Sequence, residues 1–235
     1  MKILLVTAIW QRHELAKVIL NKYRHWDVMR LAVGSEGDSS RQVAESCGWH
    51  YFEHPNSPLT HKFSALFQKA KEYNPDAIML MGSDDLISEK VLAYYRQHFD
   101  ASRVALMGFK DIYFFHQQTG NAIRHKGFIG TKSPFTIGCG RIFSKPLLDL
   151  VDWKLWGDES KERGLDITTS RILERMGIKE TQVTMEEAGM MIDVKTNIGL
   201  TDMETFNFNC EKINPSIFDF EFSEQLNEIN NIFTK

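Results

Sequence analysis

Five consecutive apolar residues, Ala77-Ile78-Met79-Leu80-Met81, run directly into Gly82-Ser83-Asp84-Asp85, and this junction constrains the fold more than any other stretch. An apolar run of strand length without polar alternation is buried on both faces, as at the centre of a parallel sheet. Two adjacent carboxylates behind such a strand repel each other and lose hydration, so they need a partner. In open α/β sheets ligands bind at the carboxyl ends of the strands, and the aspartates stand at such an end.

The flanking segments supply the rest of such a sheet. Residues 3–9 predict a strand, and residues 13–23 a helix with Leu15, Val18, Ile19 and Leu20 at helical spacing. A second strand is predicted over 27–33, then a helix capped by Ser39 or Ser40 and ending at Cys47-Gly48, and a short strand over 49–52. The helix over 60–73 carries Phe63, Leu66, Phe67 and Ala70 on one face and ends at Asn74-Pro75, because the residue before proline is pushed out of the helical region. Ser88 is expected to cap a helix through Phe99, followed by a strand over 103–107.

Beyond Gly108 the pattern reads as a β-hairpin, 109–116 and 122–128 around Gln118-Thr119-Gly120-Asn121. Ser144 is expected to cap a helix with Pro146 in its first turn, and residues 167–176 a helix closed by Gly177. Past Asn209 a polar tail carries an amphipathic stretch over 220–233. The expected architecture is α/β: a Rossmann-like mixed sheet with helices on both faces and an appended β-hairpin and helical second half. It is read as a single domain over 1–235, with a nucleotide-sugar-binding half (1–108), an acceptor-side half (109–200) and a C-terminal extension (201–235).

At 235 residues, 43% hydrophobic and 25% charged, the chain excludes collagen-like and wholly disordered classes. No apolar run reaches the roughly 20 residues that cross a bilayer, so no transmembrane anchor is expected. The start imitates a secretion signal but is too short and lacks a small-residue cleavage site, which leaves a buried first strand. Cys47, Cys139 and Cys210 are odd in number and far apart, which points to a reducing, cytoplasmic location rather than a disulfide framework. The net charge of −3 is uneven. Lys110, Arg124, Lys126, Lys132, Arg141 and Lys145 face a single acid, Asp111, between 110 and 145, whereas ten acids face three lysines from Glu186 onward. A basic centre suits a phosphate or polyanion, or is simply a solvated face.

Dinucleotide-binding folds and P-loops need glycines after the first strand so that backbone amides can approach phosphate. Here the turn is Thr7-Ala8-Ile9-Trp10-Gln11-Arg12, without glycine, and Gly138-Cys139-Gly140 has Phe143 where a third glycine would stand. The same lack argues against a nucleotidyltransferase. The aspartate pair has a clearer chemistry, because Mg²⁺ or Mn²⁺ takes one or two carboxylates and leaves its other positions to substrate phosphates. The alternative is a pair that caps the helix starting near Ser88.

With these motifs in order, the chain resembles the A-type fold nucleotide-sugar glycosyltransferases, most like the inverting family 2 group, over roughly residues 1–200. The likeness rests on the first strand and its loop, the helix carrying Thr60-His61-Lys62-Phe63, the strand ending in Ser83-Asp84-Asp85, and Gly164-Leu165-Asp166-Ile167-Thr168 at a later helix start. It implies a glycosyltransferase that moves a sugar from a nucleotide-diphosphate donor to an acceptor hydroxyl with inversion. Asp85 would bind Mg²⁺ or Mn²⁺, Asp84 would contact ribose or metal, and Asp166 would be the general base. Thr7, Trp10, Arg12, Lys62 and Lys195 would meet the nucleotide and its phosphates.

Each assignment has a plainer reading: Asp166 as an N-cap, Lys62 as surface charge, Trp10 as core. Relatives often complete the metal site with a late histidine, and none follows His125, so Lys195 would replace part of the cation's charge. The aromatics Phe109, Tyr113, Phe114, Phe115, Phe128 and Phe135, set among the basic residues, leave a saccharide, lipid-linked or nucleic-acid acceptor open. A nucleic-acid-binding module, or a sugar transferase acting on modified DNA bases, are the alternatives.

Overall fold

A computed structural model describes residues 1–128, 135–197 and 209–233. The first part runs β1 (Ile3–Ala8), α1 (His13–Lys22), β2 (Met29–Gly34), α2 (Asp38–Ser46), β3 (His50–Glu53), α3 (Leu59–Ala70), β4 (Ala77–Gly82), β5 (Asp85–Ile87), α4 (Glu89–His98) and β6 (Leu106–Phe109). The second continues with β7 (Ile112–His116), β8 (Ala122–His125), β9 (Ile142–Ser144), α5 (Lys145–Leu150), α6 (Leu165–Arg175), β10 (Thr181–Val183), α7 (Met185–Ala188), β11 (Met191–Lys195), β12 (Cys210–Ile213) and α8 (Asp219–Phe233).

A seven-stranded sheet has the order β10-β6-β9-β4-β1-β2-β3. β1 lies parallel between β2 and β4, while β9 enters antiparallel between β4 and β6. The apolar run at 77–81 therefore is central, but one of its neighbours is antiparallel. Alternate residues feed two separate cores: Ile3, Leu5 and Met79 pack under α1, α2 and α4, and Leu4, Val6 and Ile78 under α3, α5 and α6. Covering both faces removes each of these side chains from water, about 1.5–3 kcal/mol apiece.

Caps differ from expectation in three places. The α2 helix starts at Gly37, whose φ of 60° suits glycine, while Ser40 is buried inside the helix. Ser88 occupies the N-cap position of α4 without a side-chain capping bond. The α6 helix starts at Gly164 (φ 71°), so Asp166 sits inside its first turn. Ser144 does cap α5, accepting from the Leu147 amide.

The hairpin forms as predicted, with Phe114 opposite Ile123, but it does not stand alone. β11 pairs parallel with β7 and antiparallel with β5, and β12 pairs with β8, giving a second, five-stranded sheet in the order β12-β8-β7-β11-β5. The appended half is thus more sheet than the helical reading expected, because both open edges of the hairpin are filled by distant strands. The tail forms α8, with Phe222, Leu226 and Ile229 buried beside α1 and Phe220 exposed. Lys132 and residues 201–208 of the C-terminal extension lie outside the described residues. No described helix is long and apolar enough to cross a membrane.

Candidate functional site

The strand β4 delivers Asp84 and Asp85 through a turn in which both carboxylates fold back over Gly82. A Cβ on Gly82 would lie 2.5 Å from Asp84 Oδ1 and 2.9 Å from Asp85 Oδ2. The Gly82 amide instead donates to Asp85 Oδ2 at 2.5 Å. Behind the turn the buried Tyr23 hydroxyl donates to the Asp85 carbonyl (2.7 Å) and accepts from the Ile87 amide (2.8 Å), so the start of β5 is held from both sides.

The pairing of β11 with β5 sets Asp193 opposite Asp85. One carboxylate oxygen from each of Asp84, Asp85 and Asp193 then lies within 4.8 Å of the others. Asp193 Oδ1 is buried and has no hydrogen-bond partner. Three converging hard oxygens with one left unsatisfied fit a divalent cation such as Mg²⁺ or Mn²⁺. Asp193 is not among the residues that the sequence puts forward for the metal, where the resemblance leads one to expect a late histidine. The available signal was an acid flanked by the buried apolar residues Ile192 and Val194.

Two cations flank the trio. Arg12 reaches Asp84 at 3.0 Å and Lys195 reaches Asp193 at 2.7 Å, the ammonium also lying 5.1 Å from the Phe114 ring centre. Burial opposes the Lys195 charge, but Asp193, Asp84 and Asp85 outweigh it and hold the ammonium above its ordinary range. Burial, reinforced by Asp84 and Asp193, pushes the Asp85 carboxyl well above its usual range. Burial also pushes Asp193 up, to about 6, against the pull of Lys195.

A carboxyl raised from 3.8 to about 6 favours the folded state only while protonated. Cation-free protein is therefore expected to lose stability as pH rises from about 4 through about 6, and Asp193→Asn is expected to flatten that slope. Melts between pH 4 and 7 in EDTA check this. An unchanged slope in the variant would place the proton elsewhere.

Two chambers meet at this cluster, and Asp84, Asp193 and Lys195 line both. The smaller, about 230 Å³, is bordered by Trp10, Arg12, Asn56, Lys62, Ser83 and Thr196. The larger, about 280 Å³, contains Asp85 and Asp166. Trp10 is half-buried at the smaller chamber rather than part of either core, which corrects its reading as a core residue. Lys62 is buried, not surface charge. It donates to the Ile9 carbonyl (2.7 Å), Ser35 Oγ (3.2 Å) and Asn56 Oδ1 (3.0 Å), and burial lowers its pKa to about 8. Thr7 is fully buried in β1 and borders neither chamber.

Asp166 is half-buried, and its Oδ1 accepts from the Ile167 amide at 2.8 Å. Its carbonyl accepts from Arg141, which is buried, so this member of the basic centre is neither a solvated charge nor an open anion contact. The other described basic residues of the 110–145 segment are mostly paired as well: Arg124 with Asp111 (2.6 Å), Lys126 with Glu211 (2.5 Å) and Lys145 with Asp149 (2.5 Å). Among the described lysines and arginines of that segment, Lys110 is the one without an ion pair within 4 Å.

No family model matches the chain, and no curated protein does. Solved structures do match. A cytidylyltransferase from Leptospira borgpetersenii is 16% identical at a TM-score of 0.55, covering 99% of this chain and 93% of that one. TarS of S. aureus in complex with UDP is 13% identical at 0.53, covering 83% of this chain and 61% of that one. The 4-diphosphocytidyl-2C-methyl-D-erythritol synthase of Anaerococcus prevotii is 13% identical at 0.51, covering 92% and 96%. At these identities the likeness is one of fold: this chain has the A-type nucleotide-binding fold of those proteins.

Proposed function

We propose that this chain moves a sugar from a nucleotide-diphosphate donor to an acceptor hydroxyl with inversion, as the resemblance to the inverting family 2 group implies. The observation that carries the reading is the carboxylate trio standing between a chamber edged by Trp10 and Arg12 and a chamber holding Asp166. The base would lie against Trp10, and the phosphates beside Arg12 and Lys195. Asp84, Asp85 and Asp193 would hold Mg²⁺ or Mn²⁺, which neutralises charge developing on the diphosphate when bound. Lys62 borders the same chamber and ties Ile9, Ser35 and Asn56 together there, so its ammonium would stand near the donor while it props the neighbouring loops. Asp166, across the trio, would take the proton of the attacking hydroxyl. Attack from the side opposite the leaving diphosphate inverts the anomeric centre.

The fold is shared with a cytidylyltransferase, but the first loop favours sugar transfer. A triphosphate cradle uses free backbone amides. Here the loop has no glycine, and the Gln11 amide already donates to Glu36 Oε2 at 2.7 Å. The nucleic-acid-binding alternative draws little support, because the basic centre is largely neutralised by its own acids.

A melting panel of UDP, CDP, GDP and ADP with and without Mn²⁺ tests the reading. A ligand at a hundredfold excess over its Kd adds about 2.7 kcal/mol. For a chain of this size that raises the transition by about 5–10 °C. If no nucleoside diphosphate moves it, the assignment falls. It falls equally if a nucleoside triphosphate and a sugar phosphate yield pyrophosphate.

A further inference from the structure

The larger chamber carries information about the acceptor, and the inference rests on the sugar-transfer reading above. Around Asp166 its surface is mostly apolar and aromatic. One wall is Phe63 against Trp156, ring centres 6.0 Å apart, with the indole N–H donating to Thr169 Oγ1 at 3.1 Å. Phe128 also lines the chamber, its ring edge-on to the buried His125 at 5.8 Å, with Phe114 6.2 Å from the same imidazole. Leu59, Leu80 and Leu165 line it as well.

A monosaccharide in such a space brings several hydroxyls, each of which costs free energy if it loses water without gaining a partner. Apart from the trio and Lys195 on the partition, the polar side chains lining it are Asp166, Arg163, His125, Arg141 and Thr169, and the last two are already bonded within the protein, Arg141 to Thr136, Asp166 and Ser170 and Thr169 to Trp156 and the Leu165 carbonyl. A flat ring loses nothing on entering, and aromatic walls reward it by stacking. The volume of about 280 Å³ is also nearly double the roughly 150 Å³ that accommodates a benzene-sized ring, which leaves room for a fused or substituted one. We propose that the acceptor is an alcohol carried on an aromatic or heteroaromatic ring, with the ring against the aromatic side chains of Phe63, Trp156 and Phe128 and its hydroxyl turned to Asp166. Arg163, exposed at the edge of the chamber, would meet a polar substituent on that ring.

The test uses the full chain and three probes: 2-naphthalenemethanol, methyl glucoside and octanol. Ligand-observed NMR gives their affinities without any sugar donor present. The naphthalene alcohol is expected to bind at least tenfold more tightly than either of the others. Loss of one stacking ring weakens a planar ligand about fivefold or more, so Phe128→Ala is expected to cost at least that and Phe128→Tyr to restore it. Phe128→Leu keeps an apolar side chain without the flat face and gives the same loss even if the alanine variant does not fold.

Tighter binding of methyl glucoside overturns the proposal in favour of a saccharide. Tighter binding of octanol overturns it in favour of a lipid alcohol, and naphthalene binding indifferent to Phe128→Leu overturns it outright. The UDP melt is read separately, so a failure of the nucleotide chamber and a failure of the aromatic one are told apart.

Discussion

Replacing Asp166 by asparagine is expected to lower turnover about a thousandfold while leaving affinity for the nucleoside diphosphate that stabilises the fold within about threefold of the wild type, since general-base catalysis contributes 10²–10⁴. The amide occupies the same space and keeps the oxygen that accepts from the Ile167 amide, so the first turn of α6 is preserved. What is lost is the ability to take a proton. Trp10 and Arg12, which edge the other chamber, are untouched by the change. Nucleoside diphosphate release in the presence of acceptor measures turnover, and titration with the nucleoside diphosphate that raises the melting transition most measures affinity. Equal loss of both would mean that Asp166 only supports the fold, and full activity would remove it from the chemistry.

Arg141→Met is expected to be the most destabilising single change near the site. The guanidinium is 1% exposed and donates to Thr136 Oγ1, the Thr136 carbonyl, the Asp166 carbonyl and Ser170 Oγ, with Glu180 3.9 Å away. Methionine fills much of the volume but takes the donor from the Thr136 carbonyl, leaves the Asp166 carbonyl with the Ser170 hydroxyl as its side-chain donor, and leaves the buried Glu180 carboxylate without its cation. Breaking a buried pair from one side costs about 3–5 kcal/mol. That corresponds to a fall of roughly 10 °C or more in Tm for a chain of this length. Thermal denaturation at neutral pH gives the answer. A loss below about 1 kcal/mol would show that water or neighbouring donors satisfy the site, as at ordinary surface positions. Arg141→Lys keeps the charge but cannot span the same acceptors, so an intermediate loss is expected.

Much of the first hundred residues was legible because the signals there are local. The spacing of Leu15, Val18, Ile19 and Leu20 depends only on helical geometry, and the block at Asn74-Pro75 only on backbone sterics. The same holds for the hairpin and for Ser144 as a cap. Errors fell where local options were nearly equal. Ser39, Ser40 and Gly37 all suit a helix start, and the path of the chain chose the glycine with its positive φ. Trp10 suits either the nucleotide or the core by its residue type, and the loop with left-handed backbone at Gln11 and Arg12 places it at the chamber.

The candidate site was legible in part. Asp84 and Asp85 declared themselves by following a buried strand, whereas Asp193 did not, because its partners lie more than a hundred residues earlier. Lys62 showed a charge but not a destination, and three acceptors from separate loops give it one. The basic centre looked like a binding surface when counted along the chain. In space, Glu211 and Asp149 stand beside Lys126 and Lys145.

Sequence alone determined the alternation of strand and helix, the buried central strand and the paired acids at its end, since periodicity and the desolvation cost of adjacent carboxylates act over a few residues. Tertiary structure alone decided that a third acid joins them, that β9 inserts antiparallel, that Arg141 holds the Asp166 turn, and that Lys126 meets Glu211. Those outcomes depend on which distant backbone edges and buried charges satisfy one another, and that choice is made by the whole folded molecule at once.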